Sequence, residues 1–110
     1  MRVHLVKKRT IEDFVNVYPG SSAPFIEWLY RIKRANWETP SDILKAFNSA
    51  DLLGNGTDRV VFNIGGNNYR MICRYLFGIS EVGLFICWIG SHSAYSRLCN
   101  ENKQYYIRKY

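Results

Sequence analysis

The sequence is short of the residues that several familiar chemistries require. Its three cysteines, Cys73, Cys87 and Cys99, are an odd set at wide spacing, which suits neither a disulfide framework nor a CxxC-type zinc site. They read as reduced thiols, with Cys73 and Cys87 as small apolar side chains in a core. The two histidines, His4 and His92, have no Cys or carboxylate cluster beside them. No metal and no cofactor is therefore expected. There is no GxxxxGK[ST] phosphate loop, and Gly54-Asn55-Gly56 lacks the remainder of a dinucleotide fingerprint. The longest apolar stretches, such as Val82 to Ile89, fall far below the roughly 18–20 residues of a membrane-spanning helix. The opening MRVHLVKKRT lacks the apolar region and cleavage site of a secretory signal, so the expected compartment is the cytosol, with no membrane partner.

Acid is scarce in one half only. Residues 1–58 hold eight Lys or Arg against seven Asp or Glu, whereas residues 59–110 hold seven against two. A basic surface of this kind attracts polyanions, and binding by phosphate neutralisation would be salt-sensitive. Charge alone fits a nucleic-acid partner and a merely soluble basic domain equally well. The length of 110 residues, 47% of them hydrophobic, allows one core and not two, so a single domain over residues 1–110 is expected.

The pattern of residues predicts an α+β domain. Residues 2–6, RVHLV, read as a first strand, with His4 as a hydrogen-bonded structural histidine. Thr10 is a plausible cap for a helix carrying Ile11, Phe14, Val15 and Tyr18, which Pro19-Gly20 stops. Ser21 or Ser22 starts a second helix with Phe25, Trp28, Leu29 and Ile32 as its apolar stripe. Thr39-Pro40-Ser41-Asp42 caps a short third helix through Phe47, and residues 51–58 read as a loop. Three strands follow, at 59–64, 69–77 and 82–89, joined by turn-like segments into an antiparallel meander on which the helices pack. A short helix at about 91–98 lies over or beside the sheet, and the tail ends in an added strand or frays.

Two groups carry candidate chemistry. Arg70 and Arg74 are four apart on one strand, so both point to one face about 13 Å apart at roughly 3.3 Å per residue, a spacing suited to tracking phosphates. Arg59 on the neighbouring strand would extend that face, while Tyr69, Met71, Cys73 and Tyr75 take the other. In the segment Gly90–Tyr95, His92 and Tyr95 are three apart and share a helix face. Imidazole exchanges a proton near neutral pH and a phenol donates one, although the same spacing also fits a capping histidine beside a packed tyrosine.

These motifs together resemble a known family. GNGTDRVVFNIGGNNYRMICRY at 54–75, with LFICWIGSHSAYSRL at 84–98, is similar to the HigB-type toxins of bacterial type II toxin–antitoxin systems, within the wider RelE/ParE group. ANWETPSDI at 35–43 and HLVKKRT at 4–10 match as well, so the resemblance covers nearly the whole chain. It implies a small RelE-like domain that acts as a ribosome-dependent endoribonuclease, an mRNA interferase. It further implies neutralisation by a HigA-type helix-turn-helix antitoxin, with operator DNA reached only through the toxin–antitoxin complex.

Carried over by position, the resemblance gives Arg70, His92 and Tyr95 as catalytic residues, and Arg74 rests on geometry alone. Lys7, Lys8 and Arg9 would dock the ribosome or the RNA backbone. Two positions depart from the family: Cys87 stands where Arg or Lys is common, and Ser96 where Asp is common. A cation beside the reacting phosphate stabilises the charge of the transition state, so either Arg74 or Arg59 replaces it or activity is weaker. The expected reaction is attack of a ribose 2′-hydroxyl on the adjacent phosphate. The alternatives are a toxin of the same fold with a non-RNase target such as gyrase, a non-catalytic RNA-binding module, and a basic half that binds only the antitoxin.

Overall fold

Three strands of the second half carry apolar side chains on alternate positions, so each buries one face completely and shares the other. In the computed structural model, which describes residues 1–110, they are β3 (Arg59–Ile64), β4 (Tyr69–Phe77) and β5 (Glu81–Ser91), an antiparallel meander. The first strand, β1 (Arg2–Val6), joins parallel to β5, with Val3 opposite Val82 and Leu5 opposite Leu84. The expected loop at 51–58 also contributes two residues, β2 (Asp51–Leu52), paired with β3. The five strands lie in the order β1-β5-β4-β3-β2. The architecture is the expected α+β one, with a mixed rather than wholly antiparallel sheet.

Helices α1 (Arg9–Val17), α2 (Ser22–Lys33) and α3 (Pro40–Ala46) cover one face. Ile11 and Phe14 of α1, and Phe25, Trp28 and Ile32 of α2, meet the inward residues of the strands, among them Phe62, Met71 and Cys73. This layer holds eighteen buried apolar residues and the opposite layer five, so at about 1.5–3 kcal/mol for each large side chain the three-helix face dominates stability. The opposite face is thereby free to carry polar groups. Two details differ from expectation. Thr10 is buried inside the first turn of α1, which starts one residue earlier, and His4 is exposed on β1 rather than held in a structural bond. The third helix begins as its residues dictate: the Asp42 carboxylate accepts the amides of Glu38 and Thr39 at 2.8 and 3.0 Å.

The second face is covered by α4 (His92–Asn100), whose Leu98 packs on Val61, Ile72, Cys87 and Trp88. A bulge in β5 makes this layer possible. Ile72 faces Trp88 while Cys73 faces Ile86, leaving Cys87 as the extra residue, and Cys87 and Trp88 both reach the α4 side. The tail neither frays nor forms a strand. It makes a 3-10 turn at Lys103–Tyr105 and then crosses the same face with Ile107 against the α4 cluster.

Candidate active site

The site is assembled where β4 and β5 end and α4 begins. Gly65 and Gly66 adopt φ of +65° and +66°, a conformation that favours glycine, and they let the chain reverse tightly between β3 and β4. The turn folds back on Arg70, which is only 8% exposed. One terminal nitrogen of its guanidinium donates to the carbonyls of Gly66 at 3.3 Å and Tyr69 at 3.1 Å, and the other donates to Asn67 Oδ1 at 3.3 Å. The planar fork is thus oriented by its own turn, with Nε–H and one further N–H left over for an anion.

The same turn also fixes the start of α4. The His92 amide donates to the Asn68 carbonyl at 3.1 Å, and Ser91 caps the helix by accepting the Ala94 amide at 3.1 Å. His92 is exposed at the first helical position, and Tyr95, half-buried, lies one turn along with its ring 6.2 Å from that of Trp88. Gly90, opposite Arg70, is required here, because a Cβ would stand 2.4 Å from Trp88 Cζ2.

Burial pushes the Tyr95 hydroxyl well above its usual range, helped by hydrogen bonding with the Cys99 thiol and by the negative charge of Asp51, while Arg70 pulls slightly the other way. Tyr95 therefore stays protonated at neutral pH and carries a proton it could donate. The structure brings together Arg70, His92 and Tyr95, and adds partners that the sequence did not point to. Asn67 aims Arg70, Trp88 lies beside the Tyr95 ring, and Cys99 and the charge of Asp51 make loss of its proton costlier. Asn67 and Trp88 lie within the motif segments, and Cys99 left a trace as the residue four after Tyr95 on the same helix face; Asp51 left none.

Other candidate residues are placed differently. Arg74 faces the same side of β4 as Arg70, but Ile72 under Leu98 of α4 lies between them. Its guanidinium stacks 4.6 Å from the Phe85 ring centroid, so the two arginines do not form one continuous track. Arg59, only 4% exposed, is turned to the tail and donates to the carbonyls of Gln104 at 3.1 Å and Ile107 at 2.8 Å. It does not extend an open basic face. Cys87 is buried in the α4 cluster, and Ser96 Oγ donates to the His92 carbonyl at 3.2 Å. Lys7 and Lys8, between β1 and α1, and Arg9, the first residue of α1, are exposed. Lys7 and Arg9 line a cavity of about 790 Å3 whose far wall includes Ser91 and Ala94 of the α4 start, whereas Lys8 faces away from it.

Against this geometry, residues 21–98 match the model of the HigB toxin family, described as the RelE-like toxic component of a toxin–antitoxin system. The chain belongs to this family. The match runs from the start of α2 to Leu98, so it contains Arg70, His92 and Tyr95 and leaves α1 and the tail outside. Over 106 residues the chain is also 30% identical to the mRNA interferase HigB of Escherichia coli O6:H1 (strain CFT073), an alignment that spans 93% of this chain and 100% of that protein. The HigB resemblance read from the NIGGNNYR and IGSHSAY segments is thus supported by both comparisons. No helix is long and apolar enough to cross a membrane.

Proposed function

We propose that this chain is an mRNA interferase: an endoribonuclease that cuts messenger RNA while it is translated on the ribosome and is held in check by a HigA-type helix-turn-helix antitoxin. The observation that carries the reading is the meeting of an oriented arginine, an exposed histidine and a protonated tyrosine at one strand–helix junction, in a chain of the HigB family. The cytosol is its place of action, and operator DNA is reached only through the antitoxin complex.

The reaction is transfer of a phosphate from one ribose oxygen to another. The 2′-hydroxyl oxygen attacks the adjacent phosphorus, the bond from phosphorus to the 5′-oxygen of the next nucleotide breaks, and a cyclic phosphate and a 5′-hydroxyl result. His92 takes the 2′-hydroxyl proton as general base, which its exposure at the first turn of α4 permits. Tyr95, kept neutral by its surroundings, either gives its proton to the leaving 5′-oxygen or donates a hydrogen bond to a phosphate oxygen while water supplies the proton to the leaving oxygen. Arg70 offers its two uncommitted N–H groups to the charge that grows on the phosphate, and the turn's carbonyls hold that fork in place beforehand.

The test is cleavage mapped on a defined message in a translating extract. His92→Ala and Tyr95→Phe should lower cutting by about 10²–10⁴-fold, the range of a general acid–base group, with the fold intact. An extract in which the wild-type protein arrests translation while the message stays whole would sink this reading.

A further inference from the structure

We infer that the C-terminal segment, residues 101–110, is a strap that completes a groove for a single-stranded RNA segment, with Lys109 binding phosphate and Tyr110 stacking on a base. The inference rests on the nuclease reading above and names a path for the strand that borders that site.

Chain ends ordinarily fray unless something ties them down. Here the buried Arg59 guanidinium takes two carbonyls of the segment, and the Lys109 amide donates to the Cys87 carbonyl on β5 at 2.8 Å. Bonds of this kind, one set from a charged group in a dry setting, hold the backbone of Lys109 against the sheet. The path of the backbone that carries the two side chains is therefore set by the fold.

They enter the 790 Å3 cavity whose other cations are Lys7, Arg9 and Arg97. Its one acidic side chain, Asp13, already stands 3.9 Å from Arg9, so the side chains of the lining carry net positive charge. Between the cations runs a wall of rings. Phe14 lies 4.7 Å from Tyr18 and 5.8 Å from Tyr69, centroid to centroid, and the Tyr110 hydroxyl is raised above its usual range by partial burial and, less, by the neighbouring Tyr18. Tyr18 and Tyr110 are exposed, unlike core aromatics.

Cations alone would suit an acidic protein segment equally well. Exposed rings interleaved with cations suit single-stranded nucleic acid better, because every base offers a face for stacking and every phosphate a charge. The cavity also includes Ser91 and Ala94, on either side of His92 in the chain. Arg70, His92 and Tyr95 do not themselves line the cavity, so a strand lying in it passes along the Ser91, Ala94 and Arg97 side of the α4 start, next to the face that carries the reacting groups.

The experiment is titration of a labelled single-stranded oligoribonucleotide with the full chain at several salt concentrations, with circular dichroism confirming the fold of each variant. Lys109→Ala and Arg97→Ala should each reduce the slope of log affinity against log salt by about 0.7, the share of one phosphate on a single strand. Tyr110→Ala should weaken binding at least about fivefold, the low end for a lost stacked base. Lys45→Ala, exposed on α3 and outside the groove, should bind as wild type. Unchanged slopes and affinities in the groove variants would overturn the inference. So would variants that bind RNA normally but lose antitoxin capture, since the groove would then be a protein site. His92→Ala separates the two readings: groove variants that bind normally while His92→Ala loses cleavage leave the nuclease standing without the groove. The predicted slopes in a wild-type protein that never cuts translated message would do the reverse.

Discussion

The backbone amide of His92 donates to the carbonyl of Asn68, 3.1 Å away, and so joins the start of a helix to the turn that orients Arg70. The two halves of the site, one from the GGNN turn and one from the SHSAY helix, are thereby parts of one rigid unit. Disturbing either half should be felt at the other.

Arg70→Ala tests that coupling. It removes a nearly buried guanidinium and leaves the carbonyls of Gly66 and Tyr69 without their donor, which should cost about 1–3 kcal/mol in urea unfolding. Cleavage should fall more steeply than stability explains. Arg70→Lys keeps the charge but not the fork, so it should restore stability better than activity. Equal recovery of both by lysine would show that only charge matters at this position.

Gly90→Ala should act through Trp88. The added methyl would lie 2.4 Å from the indole, and forcing that ring aside costs about 1–3 kcal/mol, the usual range for an overfilled site. Because Trp88 lies beside the Tyr95 ring, activity should drop although no catalytic group is altered. A variant as stable and active as wild type would contradict the packing described for this junction.

Arg59→Met should loosen the tail. Two carbonyls lose a charged donor, at about 2–3 kcal/mol, and Lys103 and Arg108 become better trypsin sites. Limited proteolysis followed by mass spectrometry reads this directly. Tail cleavage no faster than in the parent protein would mean that the strap is held by Ile107 and Lys109 without Arg59.

Stability should decline in alkali. Burial raises the Cys73 thiol well above 9.0, and burial also raises the Tyr75 and Tyr95 hydroxyls above 10.0. The folded state therefore keeps protons that the unfolded chain releases, so stability is full below about pH 9 and is lost as pH climbs toward the raised folded values. The urea midpoint should fall from pH 9 upward, and less steeply in Tyr95→Phe. A midpoint flat to pH 11 would show that these groups are not buried as described.

The apolar periodicity was a dependable guide where one force dominates. Phe25, Trp28 and Ile32 mark their helix because no other arrangement buries all three, and Met71, Cys73 and Tyr75 mark the buried face of β4 by simple alternation. The parallel docking of β1 beside β5 left no local signal, since pairing between segments so distant is decided by the assembled sheet. In the site, Arg70, His92 and Tyr95 were legible from motif and spacing. The burial of Arg59 and the stacking of Arg74 on Phe85 were not, because both depend on where the tail and α4 come to rest. The charge count pointed to residues 59–110, whereas the cavity takes Lys7 and Arg9 from the first half as well, and it said nothing of which cations were already engaged.

The bulge at Cys87 has one more consequence, for the phase of the strand. A single extra residue inverts the alternation for everything after it, sending Trp88 to the α4 side and Ile89 to the three-helix core. Drawing Cys87 into a regular ladder, with the sequence kept and the bulge lost, would exchange their destinations and turn the exit of β5 by half a cycle. The helix bearing His92 and Tyr95 would then leave the sheet aimed at the wrong layer, so a residue that touches no phosphate decides which side of the molecule is armed.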